Sequence, residues 1–194
     1  MPYQLDPNSV VNENGRAGAY AAAKHDGQFR AGPGKVPYVL HPIRVGWLAA
    51  PCYRSVKRDV TYIVALLHDV VEDTDATLEE VAELFGEDVA GYVAELTKPA
   101  HLSRKEQVAW MLETAPTMSR VASNVKAADR IDNLRSFFVP GEDIGWPEWK
   151  VKRYIDEAVK LAEGLVNADR ALINELYDEI VRSITKLAMR RVAA

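Results

Sequence analysis

The chain has 194 residues, 48% of them hydrophobic, and 24 Lys+Arg stand against 28 Asp+Glu for a formal charge of −4. This composition fits one domain with a single sizeable core and excludes a second large domain, extensive disorder and the basic face that general nucleic-acid binding needs. Apolar runs such as Tyr62 to Leu67 are too short to cross a bilayer, MPYQLDPNSV has no basic start or apolar h-region, and the lone Cys52 can form no internal disulfide or CxxC site, so a cytoplasmic protein without a membrane partner is expected.

Apolar residues recur at helical spacing almost throughout and nowhere alternate for long, so the expected fold is all-α, with about eight to ten helices. A first helix over about 9–28 should stop before the loop containing Gly32, Pro33, Gly34 and Pro37, and a short second one should begin near His41. Asp59 is the expected N-cap of a central helix made apolar by Ile63, Val64, Leu66, Leu67, Val70 and Val71. Thr77 with Glu80 and Ser103 with Glu106 have capping-box spacing, and Gly86 suits a helix end. Pro116 precedes an expected helix over about 118–138, Pro147 fits a first helical position, and Leu172, Leu176, Ile180, Ile184 and Leu187 mark a last helix. No internal repeat or low-complexity tract interrupts this order.

The informative stretch is LLHDVVEDTD, where His68, Asp69, Glu72 and Asp73 occupy i, i+1, i+4 and i+5 of the most apolar helix. On a continuous helix, at about 100° per residue, they span roughly 140° and can face one cavity. Four ionisable groups on so apolar a helix are costly to desolvate unless compensated, and a divalent cation compensates several carboxylates at once. The alternative is a solvated acidic helix end. VKAADRIDNLRS adds Asp129 and Asn133 on one face of another apolar helix, and VPYVLHP puts His41 just after a rigid loop. Two His and two Asp make a hard N/O donor set without thiolate, suited to Mn²⁺ or Fe²⁺ more than to structural zinc. A cation so held activates a bound water and polarises a phosphoryl oxygen, leaving Glu72 and Asp73 to handle the water's proton and the leaving group, with Glu72 on the water side. Their alternative role is hydrogen bonding to the metal ligands. In this acidic chain Lys24, Arg30 and Arg135 are the candidate phosphate partners.

In order along the chain, KHDGQFR, VPYVLHP, LLHDVVEDTDATLEEV, LTK, VKAADRIDNLRS and the later Tyr154 resemble the HD-domain hydrolases of the RelA/SpoT superfamily. The likeness is greatest to the small stand-alone alarmone hydrolases of the metazoan SpoT homologue type, and it runs from about residue 17 to beyond 180. Separated motifs in a fixed order make it specific where a lone HD dipeptide would not be. The resemblance implies an HD-domain helical bundle holding one Mn²⁺ through His41, His68, Asp69 and Asp129, with Glu72 and Asp73 serving hydrolysis and Lys24, Arg30, Asn133 and Tyr154 facing the nucleotide. It implies removal of the 3′-pyrophosphate of ppGpp or pppGpp to give GDP or GTP, with no synthetase domain following.

Lys98, Lys126, Arg130 and Ser136 also match motif positions and are read mostly as helix-end and salt-bridge residues. His25 and His101 lack a carboxylate at ligand spacing and are read as surface or loop residues, and Trp47, Trp110, Trp146 and Trp149 as core or rim. Two departures from the family pattern bear on specificity: Ala31 follows Arg30 where many relatives have a second basic residue, with Lys35 as a replacement charge, and Asp132 stands where long bifunctional members usually have His. Competing substrates for the same chemistry are ppApp and the 2′-phosphate of NADPH. A non-catalytic nucleotide-binding or antitoxin-like module is the reading from another class, but loss of a ligand or of the Glu72–Asp73 pair would be expected of it, and all six residues are present.

Overall fold

The computed structural model describes residues 13–50 and 57–193. In order, its elements are α1 Glu13–Lys24, α2 Leu40–Ala49, α3 Lys57–Leu67, the single turn α4 Val70–Asp73, α5 Leu78–Phe85, α6 Glu87–Leu96 and α7 Arg104–Thr114. A 3₁₀ turn, Ala115–Thr117, leads into α8 Arg120–Ser136, α9 Glu148–Gly164 and α10 Arg170–Ala193. The all-α expectation holds. The one strand-like feature among the described residues is an isolated antiparallel bridge from Phe29 to Pro37, which closes the base of the loop between α1 and α2. No helix among them is long and apolar enough to cross a membrane.

The bundle is built around α8, of which only Arg120, Asn133 and Arg135 escape burial. It is enclosed by α2 and α3, by α10, and by α6 and α9. Polar side chains on a helix so enclosed are costly without partners, yet it carries Lys126, Asp129 and Asp132 in buried positions. Beside it, α3 buries Ile63, Val64, Leu66 and Leu67, each side chain contributing roughly 1.5–3 kcal/mol by its removal from water.

Local signals set most helix ends. Ser103 and Glu106 form the full capping box, whereas Thr77 Oγ1 accepts from the Glu80 amide while the Glu80 carboxylate turns to Lys24. Gly86, at φ 93°, ends α5 in a conformation that a side chain would strain. Three boundaries differ from expectation. α1 stops at Lys24, short of 28, and the chain reverses through Gly27 at φ 74°; its expected start near 9 lies outside the described residues, as does Cys52. α3 begins at Lys57, so Asp59 falls within its first turn and not at its cap. Pro147 is the N-cap of α9 instead of its first helical residue.

The largest difference concerns the expected continuous helix through Asp73. α3 ends at Leu67, His68 and Asp69 form a turn, and the chain restarts as α4. Far along the sequence, the loop before α2 is stitched to the loop between α8 and α9 by a 2.9 Å bond from the Gly34 amide to the Gly141 carbonyl. The two backbones run so close that a Cβ on Gly32 would sit 2.1 Å from the Gly141 oxygen.

Candidate metal centre

The break after Leu67 places His68 and Asp69 at the C-terminal end of α3, opposite His41 in the first turn of α2 and Asp129 within α8. One nitrogen each of His41 and His68 and a carboxylate oxygen of Asp129 lie within 4.8 Å of one another, all three residues being buried. His41 Nε2 is 3.3 Å from Asp129 Oδ1 and 3.6 Å from Asp69 Oδ2; His68 Nε2 is 4.0 Å and 3.0 Å from the same two atoms. The four residues expected as ligands are therefore gathered from two helices and the turn that follows a third.

Hydrogen bonds at the far side of each ring set its orientation. His41 Nδ1 donates to Asp132 Oδ2 and His68 Nδ1 to the Ala65 carbonyl, both at 2.7 Å, so each ring turns its Nε2 toward the same point. His68 Nε2 is buried and makes no hydrogen bond. An orphaned imidazole nitrogen facing a second imidazole and two carboxylates fits a divalent cation. Burial alone would raise the Asp129 carboxyl, but the Lys126 ammonium, 3.1 Å from Oδ2, and the two imidazoles hold it well below the ordinary range. Asp69 is lowered against its burial by His68 and His41. His41, which burial would lower, is pushed up to about 9 by Asp129 and Asp132. The pocket's field thus favours a positive guest between these side chains.

Glu72 and Asp73 stand beside this cluster and outside it. Lys98 Nζ lies 2.6 Å from Glu72 Oε1, and the Lys98 backbone amide donates to Oε2 at 3.3 Å. Asp73 keeps an exposed flank, while desolvation on its inner side and the charges of Asp69 and Glu72 hold its carboxyl above the usual aspartate value. Tyr38 Oη is 2.7 Å from Asp69 Oδ2 and 3.0 Å from Asp73 Oδ2, and its hydroxyl links a cluster carboxylate to Asp73. Burial and the same two acids push the phenol far above its usual value, so it remains a donor.

Of the expected substrate contacts, Asn133 donates to Asp129 Oδ1 at 2.5 Å and accepts from Arg30 Nη2 at 2.7 Å, which brings Arg30 to the cluster. The Tyr154 ring lies 4.2 Å from the Arg130 guanidinium and packs on Phe137 and Trp146. Lys24 pairs with Asp75 and Glu80, each at 3.1 Å. Arg135 is not brought to the cluster: Glu175 and Glu179 of α10 hold it at 2.5 and 3.0 Å.

Lys98 and Lys126 make salt bridges as expected, and Ser136 caps the Asn133 carbonyl at 2.8 Å. Arg130 differs: it is buried against the Tyr154 ring, Nε and Nη1 make no hydrogen bond, and Nη2 rests on Met111 Sδ. His25 corrects a second expectation. It is 3% exposed, bonded through Nδ1 to Gln28 Oε1 at 2.8 Å and stacked on Tyr38, whereas His101 is exposed as expected. Sequence reasoning gave no role to Tyr38, Arg44 or Glu142 and saw Asp132 only as a departure. Asp132 follows Asp129 by one helical turn and Tyr38 belongs to VPYVLHP, so both carried a signal; Glu142, in a loop, carried none.

Residues 17–144 match the family model described as HD domain. The chain is 39% identical over 163 residues to the guanosine-3′,5′-bis(diphosphate) 3′-pyrophosphohydrolase MESH1 of Drosophila melanogaster, covering 84% of this chain and 89% of the fly protein. Identity to the Homo sapiens protein of the same name is 38% over 157 residues, covering 80% and 86%. A solved structure described as a metazoan ortholog of SpoT that hydrolyses ppGpp superposes with a TM-score of 0.79 at 37% identity, over 87% of this chain and 93% of that one. Motif order, the geometry of His41, His68 and Asp129, and these likenesses agree: the chain belongs to the HD domain family.

Proposed function

We propose that this protein is a metal-dependent phosphohydrolase that removes the 3′-diphosphate of ppGpp or pppGpp as pyrophosphate, leaving GDP or GTP. The observation that carries this reading is a cluster of two imidazoles and two carboxylates beside a Glu–Asp pair that the cluster does not use. The named activity of the fly and human relatives supports the substrate. We assign the cation as Mn²⁺, with Fe²⁺ the nearest substitute, because the donors are hard and include no thiolate, and its holders as His41, His68, Asp69 and Asp129. Bound there, such an ion lowers the pKa of water and polarises a phosphoryl oxygen.

The chain's own residues divide the remaining work. Glu72, gripped by Lys98, accepts the proton of the attacking water, and Asp73, tethered by Tyr38, serves the leaving side. The water oxygen bonds to the phosphorus attached to the ribose 3′-oxygen, the bond from that phosphorus to the 3′-oxygen breaks, and the 3′-oxygen takes up a proton. Arg30 and Lys24 offer charge to phosphates remote from the reacting one, and Asn133 and Tyr154 face the nucleoside. Arg135, answered by α10, has no part in this assignment.

Incubating Mn²⁺-loaded protein separately with ppGpp, ppApp and NADPH and separating the products tests the reading. GDP and intact pyrophosphate from ppGpp are expected. Stepwise orthophosphate release, or rapid turnover of ppApp or NADPH with none of ppGpp, would reject the guanosine assignment.

A further inference from the structure

We propose that Asp132 is a positioning residue of the metal centre: it holds the His41 ring so that Nε2, and not Nδ1, is offered to the cation. The inference rests on the metal-site reading above. The two imidazoles are oriented by different means. His68 Nδ1 donates to a backbone carbonyl, that of Ala65, which no side-chain change removes. His41 Nδ1 donates to a side chain, Asp132 Oδ2, 3% exposed and 2.7 Å away. A carboxylate in that place does more than a carbonyl, because it also raises the basicity of the opposite nitrogen toward a metal.

Asp132 is itself locked by a second side chain of α2. Arg44, one helical turn after His41 on α2, donates from Nε to Oδ1 at 2.6 Å and from Nη2 to Oδ2 at 3.1 Å. The same guanidinium reaches Glu142 Oε1 at 3.2 Å and Oε2 at 2.7 Å, and Glu142 Oε2 lies 3.5 Å from Arg30 Nε. A bidentate guanidinium leaves the Asp132 carboxylate one orientation, and a fixed carboxylate leaves the imidazole one face. α8 thereby supplies both a ligand, Asp129, and the group that aims a ligand carried by α2.

Competition of the wild-type protein, Asp132→Ala and Asp132→Asn against a chromophoric chelator for Mn²⁺ tests this without any nucleotide. Asp132→Ala is expected to bind Mn²⁺ roughly 10- to 100-fold more weakly, and Asp132→Asn, which keeps an acceptor but loses the charge, to fall between it and wild type. In ¹⁵N-histidine NMR of the Zn²⁺-loaded proteins, the His41 Nδ1–H resonance should be present in wild type, retained in Asp132→Asn and absent or exchange-broadened in Asp132→Ala. A residue that merely stabilised the fold would leave that resonance in place. Mn²⁺ affinity of Asp132→Ala within twofold of wild type overturns the inference; if that variant does not fold, the same result for Asp132→Asn overturns it. A wild-type protein that binds no Mn²⁺ overturns both this inference and the metal assignment, whereas failure to cleave ppGpp bears only on the substrate.

Discussion

Lys98 grips Glu72 with its ammonium and its backbone amide together, while Asp73 is held by the single hydroxyl of Tyr38. Two carboxylates one residue apart thus have unlike surroundings, which a division between accepting a proton and serving a leaving group requires. Replacing Glu72 by Gln keeps the shape and removes the base, so turnover should fall by roughly 10² or more with Mn²⁺ stoichiometry unchanged, as paired rate and metal measurements would show. Loss of metal together with rate would instead place Glu72 in the coordination shell. His41, His68, Asp69 and Asp129 were legible because each lies within a short motif whose residue types suit a cation. Their supporting partners were not, since Tyr38 meets Asp69 across 31 positions and Arg44 meets Glu142 across 98, and no local pattern encodes such pairings.

Among the helices, ends written by capping chemistry were the most legible. The Ser103–Glu106 box satisfies an amide at each end of its reciprocal pair, at 3.4 and 2.8 Å. Ser103→Ala should lower stability by about 1 kcal/mol, measured by denaturant titration at neutral pH. The hydrogen bonds from Ser103 hold the Glu106 carboxyl below its ordinary value, so its contribution is present above the unfolded value of about 4.3 and lost as pH falls through the lowered folded value. The acid limb of the stability curve should accordingly be shallower in Ser103→Ala, and an unchanged limb would show that the box plays no part in it. The break between α3 and α4 was illegible for a definite reason. Leu66, Leu67, Val70 and Val71 keep helical spacing across it, because the segments on both sides pack toward the core, while the turn itself serves the aim of His68.

For the whole molecule, hydrophobic period revealed an all-α bundle but not which helix lies at its centre. That place belongs to α8, and α10, which packs along it, carries none of the grouped His41, His68 and Asp129. Leu176 of α10 is fully buried, and Leu176→Ala should cost about 2–5 kcal/mol in thermal or denaturant unfolding while the folded variant keeps wild-type Mn²⁺ affinity. A large fall in affinity with intact folding would mean that α10 shapes the centre as well as supporting it. The chain order of the cluster has a consequence for synthesis. His41, His68 and Asp69 leave the ribosome well before Asp129, so a growing chain presents two imidazoles and one carboxylate without the oxygen donor of α8. The complete group therefore exists only in the finished fold, once Asp129 of α8 has docked beside the two imidazoles.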